Sequence, residues 1–221
     1  MGIRVGAGFV YVALSASILM SQNQKPERTV KANTVISEKD PKIAITLPAK
    51  AIYVGADRWP LYNIADCEVH VFVEVNAEKV VQRLYWIQFE GYLPSKPELT
   101  HDYSADPTLK WDGLDFHIKA RFGPTDDSVK TGSDSEHVRR LIHDRGFTMP
   151  EGMMNVRLVH LLDEQNRKEL MLIYGENTAS TGFAWTDLMP GGKAAGRWPE
   201  IQKGLIDRAE KQIVLKESDE P

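Results

Sequence analysis

The strongest constraint on this chain is an alternation over residues 67–75. Cys67, Val69, Val71, Val73 and Val75 fall on one face of an extended segment, and Glu68, His70, Phe72 and Glu74 fall on the other. A side-chain period of two carried by β-branched residues is the pattern of a strand. The polar stretch 76–79 (Asn-Ala-Glu-Lys) separates it from residues 80–92, a second run rich in aromatic and β-branched side chains. Two such runs around a short polar turn predict an antiparallel hairpin, which is expected at the centre of a sheet.

Further strands are predicted on both sides of that hairpin. Ile43, Ile45 and Leu47 alternate before Pro48 ends the run. Phe116, Ile118, Ala120 and Phe122 alternate with His117, Lys119 and Arg121, so one face of that strand is wet. Residues 155–162 and 167–174 flank the polar stretch 163–166 and predict a second hairpin. Ser133 and Glu136 have capping-box spacing ahead of Val138, Leu141 and Ile142, and Gly146 supplies a stop, so a short helix is inserted before the second hairpin. Pro199 opens a last helix whose buried face is Ile201, Leu205, Ile206, Ala209 and Ile213. The expected fold is α+β: an antiparallel sheet of about five or six strands built from two hairpins, with the inserted helix and a C-terminal helix packed on it.

At the N-terminus, Arg4 precedes an uncharged apolar and small-residue run over residues 5–20. A positive end followed by an apolar core of about 16 residues has the order of a secretory signal, and it falls short of the ~20 residues that a membrane-spanning helix needs. Residues 1–21 are therefore expected to be a signal segment, with the product secreted or periplasmic and without a stable membrane span once the signal is removed. Residues 22–42 are polar and proline-punctuated and read as a flexible spacer. One globular domain is expected over residues 43–216, followed by a charged tail, 217–221. The net charge is −4, and the signal would take away one positive charge, which argues against nonspecific binding to nucleic acid or anionic lipid. Cys67 is the only cysteine, so no intrachain disulfide can form, and its apolar strand marks it as a small buried hydrophobe.

The chain has no nucleophile elbow, His-Glu-x-x-His, P-loop, cysteine metal knuckle or EF-hand loop, and no cofactor or metal is expected from its motifs. Three weaker groupings remain. Glu68, His70 and Glu74 share one face of the first hairpin, and Gln88 and Glu90 share a face of the partner strand. Register decides whether the two sets meet, with His160 joining them, as an acid–base or metal site. The plainer expectation is a solvated face with cross-strand pairs such as Glu74 with Arg83. Residues 101–115 carry Asp102, Asp106, Asp112 and Asp115 with Tyr103 and Trp111, and read as a loop in which aspartates shape turns rather than bind calcium. Residues 191–197, with Lys193 and Arg197, read as a glycine-rich connector before the last helix, with anion binding the sharper alternative.

The first functional reading is an exported noncatalytic binding or accessory module. It holds a small or partly apolar ligand, or an envelope protein, through a sheet face carrying Trp86, Gln88 and Tyr92. The alternative is an extracytoplasmic hydrolytic enzyme using His70 with Glu68 or Glu90. Amino-terminal sequencing of exported material should find a chain that starts just beyond the apolar run, and an intact Met1 in a soluble fraction would end the signal reading.

Overall fold

Two antiparallel sheets and two α-helices organise the computed structural model, which describes residues 24–125 and 129–218. The apolar segment 5–20 and residues 219–221 of the charged tail lie outside the described residues. In chain order the strands are β1 (Thr29–Lys31), β2 (Thr34–Glu38), β3 (Lys42–Thr46), β4 (Ile52–Leu61), β5 (Ala65–Val75), β6 (Val81–Tyr92), β7 (Thr108–Trp111), β8 (Leu114–Pro124), β9 (Gly152–Leu161), β10 (Lys168–Asn177) and β11 (Val214–Lys216). Helix α1 (Asp134–Asp144) lies between β8 and β9, and α2 (Trp198–Gln212) between β10 and β11. The main sheet has seven strands in the order β4-β5-β6-β10-β9-β8-β7, and the smaller sheet has four in the order β1-β2-β3-β11.

The α+β class follows the sequence pattern, but the strand count exceeds the expected five or six, for local reasons. β4 contains a register shift between Tyr53 and Gly55 and carries Pro60, so its period is broken. Proline is tolerated there because β4 is an edge strand. β7 is only four residues long and lies inside the segment expected to be a loop. β1 and β2 occupy the segment expected to be a flexible spacer. They have few apolar residues, yet Val35 and Ser37 are buried, and β2 pairs with β3 from Thr34 opposite Thr46 to Glu38 opposite Lys42. Backbone pairing there stands in for the missing apolar run.

Both faces of the main sheet are covered. One face carries Phe72, Tyr85, Ile87, Phe89, Leu170 and Leu172, and it packs against Val35, Ile43 and Ile45 of the smaller sheet and Leu205 and Ala209 of α2. The other carries Cys67, Val69, Val71 and Val73 against Val138 and Ile142 of α1. The Glu68/His70/Glu74 side of β5, expected to be wet, is therefore buried under the smaller sheet and α2, with exposures of 2 %, 1 % and 7 %. Buried charge at such positions persists only when it is paired, and the Glu74–Arg83 cross-strand pair does form, at 2.7 Å.

The predicted turns and caps are visible atom by atom. Asn76 Oδ1 accepts from Val80 N at 2.8 Å, and Lys79 takes a positive φ of 63°. Ser133 caps α1 by accepting from Glu136 N at 3.4 Å, while Glu136 reaches back one residue further than a capping box requires, to Gly132 N at 2.6 Å. Among the described residues no helix is long and apolar enough to cross a membrane.

Between β6 and β7 the chain crosses the α1 side of the sheet as a long strap. Arg167 fastens its start, donating to the carbonyls of Lys96, Pro97 and Leu99 at 2.9, 2.8 and 2.9 Å and to Leu93 O at 3.1 Å. Arg167→Ala should therefore lower stability by about 2–3 kcal/mol, and limited proteolysis should cut first within residues 93–101. Unchanged protection there would show that the strap holds without the guanidinium.

Candidate functional site

Register separates the first hairpin's polar residues. Glu68 stands opposite Phe89, and His70 opposite Ile87, whereas Gln88 and Glu90 stand opposite Val69 and Cys67. Directly opposed residues share a face, so Glu68 and His70 face the smaller sheet and α2, and Gln88 and Glu90 face α1. His160 is on the Glu68 side, but three strands away along the row Glu68–Phe89–Leu170–His160, a distance of roughly 14 Å. Its Nδ1 lies 3.0 Å from Asp115 O. The five side chains do not converge.

Glu68 instead anchors the start of the described chain. Its Oε2 and Oε1 accept from Glu27 N and Arg28 N, each at 2.8 Å, and His70 Nε2 is 2.9 Å from Oε1. Burial alone would raise this carboxyl's pKa. His70, the two backbone amides and the Arg28 guanidinium outweigh burial and bring it down to about 2. Tyr53 OH lies 3.5 Å from His70 Nδ1. A cavity of about 320 Å³ beside this anchor is bordered by Glu68, Glu90 and Tyr92. The cations around it are all engaged: Arg28 with Glu68 at 3.3 Å, Lys39 with Glu27 at 3.0 Å, Arg58 with Asp66 at 2.5 Å and Lys168 with Asp40 at 3.0 Å.

The α1 side is organised differently. Helix α1 packs on β4 and β5, which leaves the β6, β10, β9 and β8 part of that face as a groove beside the helix. Two adjoining cavities of about 290 and 300 Å³ share Trp86, Ile173, Arg121 and Ser135 in their linings. Trp86, Met171 and Ile173, 6–8 % exposed, form an apolar floor. Ser135 and Val138 of α1 wall one side, and Lys119 and Arg121, both exposed, stand on the other. Of the three residues predicted to face a ligand, Trp86 lies in this groove. Gln88 is fully buried and tied to Trp86, accepting from Nε1 at 2.9 Å. Tyr92 is six residues further along β6, roughly 20 Å away, where it stacks on His101 at 4.5 Å.

Behind the groove lies a row of acids, of which sequence reasoning marked Glu90 and missed Glu169. Glu90 and Glu169 are directly opposed across β6 and β10. The Gln88 amide donates to Glu90 Oε2 at 3.0 Å, while Glu169 Oε2 accepts from Tyr103 OH at 2.7 Å and lies 3.1 Å from His101 Nδ1. These partners are amide, phenol and imidazole groups rather than permanent cations. Burial first, and then the Glu90 charge, raises Glu169 to about 7. Burial and the charge of Asp134, at the start of α1, push Glu90 up, and burial does the same to Asp134. Burial lowers His101 to about 4. It also raises the Cys67 thiol, which keeps Cys67 a buried thiol rather than a nucleophile.

The remaining predicted positions are spread out. Asp102 shapes a turn by accepting from Ser104 N at 3.0 Å, Asp112 accepts from Leu215 N at 3.2 Å, and Asp106 pairs with Arg157 at 3.0 Å. Trp111 is buried in the core beside Phe116. Lys193 pairs with Asp187 at 3.1 Å and Arg197 with Glu200 at 3.0 Å, so each cation of residues 191–197 already has an acid.

No protein-family model, curated protein or solved structure matches this chain.

The acid row carries a pH signature. Between its ordinary value near 4.5 and about 7, Glu169 keeps a proton in the folded state that the unfolded chain releases, so its contribution to stability falls as pH rises. His101 acts oppositely between about 4 and its ordinary 6.5, because there the unfolded chain holds the extra proton. Glu169→Gln should remove the falling contribution, and urea unfolding should then show stability gaining more with pH from 4.5 to 7 than in the parent. Superimposable pH profiles would mean that Glu169 has no displaced proton.

Proposed function

We propose that the protein is a noncatalytic binding module, exported through its N-terminal segment, that holds a small, partly apolar ligand in the groove between α1 and strands β8–β10. The observation that carries this reading is the groove itself. Its floor of Trp86, Met171 and Ile173 belongs to the main sheet, its α1 wall is fixed by the core contacts of Val138 and Ile142, and Lys119, Arg121, Asp134 and Arg157 bring charge to its lining. Cavities of about 290 and 300 Å³ match the lower end of the size range for small-ligand sites, and their linings combine the apolar floor with polar and charged side chains.

Two further points favour binding over hydrolysis. A His–carboxylate catalyst needs its groups within hydrogen-bond reach of one reacting atom. Here His70 and Glu68 face one side of the sheet and Glu90 the other. Glu68 is also already committed to Glu27, Arg28 and His70, so its lone pairs are spent on holding the chain.

Native mass spectrometry of gently purified protein should show a bound organic mass. Ser135→Trp, which puts a large ring between the α1 wall and the floor, should lose that mass while keeping the parent's circular dichroism. A bare polypeptide mass for the parent protein would count against the groove as a ligand site and leave partner binding as the better account.

A further inference from the structure

Three cations stand around the groove, and they are not equally paired. Lys119 and Arg157 are directly opposed across β8 and β9, and Arg121 is opposed to Asn155 one pair further along the same face. Like charges in direct opposition destabilise a sheet, and here Asp106 bridges the first two, with Oδ1 3.8 Å from Lys119 and Oδ2 3.0 Å from Arg157. Arg121 is placed differently. Its partner is the neutral Asn155 Oδ1, at 3.3 Å, it makes no ion pair among the described residues, and it lines both cavities of the groove. The cations of the cavity beside Glu68 are each matched to an acid, whereas Arg121, among the described residues, is not.

Resting on the binding reading above, we infer that the groove takes a small amphipathic carboxylate, an aliphatic or aryl acid whose apolar body lies on Trp86, Met171 and Ile173 and whose head group meets Arg121. A guanidinium matches a carboxylate through two parallel donors, and such charge-assisted bonds are stronger than neutral ones. The rim reinforces the preference. Ser133, Asp134 and Ser135 bring the start of α1 to the cavity, where the helix dipole favours negative charge. Burial raises the pKa of the Asp134 carboxyl in the same lining. An organic cation would meet Lys119, Arg121 and Arg157 across the floor.

The test is calorimetric titration of the full chain with octanoate, octanol and octyltrimethylammonium, repeated on Arg121→Gln and Ser135→Trp. Octanoate should bind roughly tenfold more tightly than octanol, and the cation should give no heat. Arg121→Gln should bring octanoate level with octanol, and Ser135→Trp should abolish binding of both. Equal affinities for octanoate and octanol in the parent, or a preference that survives Arg121→Gln, would overturn the head-group assignment while leaving the groove a binding site. Octanoate binding that survives Ser135→Trp would place the acid elsewhere and overturn the inference. Heat from none of the three ligands would overturn it together with the binding reading.

Discussion

The pairing of β6 with β10 is the contact on which the rest of the molecule depends. It runs from Gly91 opposite Lys168 to Arg83 opposite Glu176 and joins two hairpins that are each local in sequence into one sheet. Because both strands are interior, each must find cover on two faces, and residues 84–89 of β6 and 169–176 of β10 are buried without interruption. Tyr85 beside Tyr174, with ring centroids 5.5 Å apart, builds the core under α2 and the smaller sheet. Trp86 with Ile173 builds the floor under α1. A slip of one residue would exchange those faces for every side chain in the strand.

The same register produces two buried glutamates with opposite chemistry. Glu68 is surrounded by donors that favour its charge, and its pKa falls to about 2 although burial opposes this. Glu169 is equally buried but faces Glu90, and its pKa climbs to about 7. Both sit on strands of one sheet, and what separates them is the count of charge-favouring donors within reach. Glu68 is an ionised anchor for the first described residues. Glu169 holds the strap through Tyr103 and His101, and the strap's Asp106 in turn positions Arg157 and Lys119 at the groove. On one face the charged residues anchor the chain, whereas on the other Arg121 makes no ion pair among the described residues.

Much of this was legible locally. The valines of β5, the turn at residues 76–79, the second hairpin, the Ser133 cap and the α2 stripe all appear where the pattern places them, because each depends on neighbours within a few residues. β1, β2, β4, β7 and β11 were not legible. Their partners, not their own periodicity, make them strands: β2 is held by β3, and β4 by β5 across a bulge. For the site, Trp86 was marked by its ring and its parity along β6. Arg121 and Lys119 were visible only as the wet face of an alternating strand, without sign that α1 would border the same space. Glu169 carried no signal at all, since it reads as one polar residue in an apolar run.

The sequence by itself determined which segments extend, where the hairpins and the two α-helices turn and end, and which side of β5 is apolar, since these follow from backbone preference and side-chain period. Tertiary structure alone decided that the polar side of β5 would be buried under a second sheet, that Glu90 would face Glu169, and that Glu68 and His70 would turn away from both. Such outcomes come from register between segments far apart in the chain. Register is selected by the packing of the whole core at once, so no window of sequence contains it.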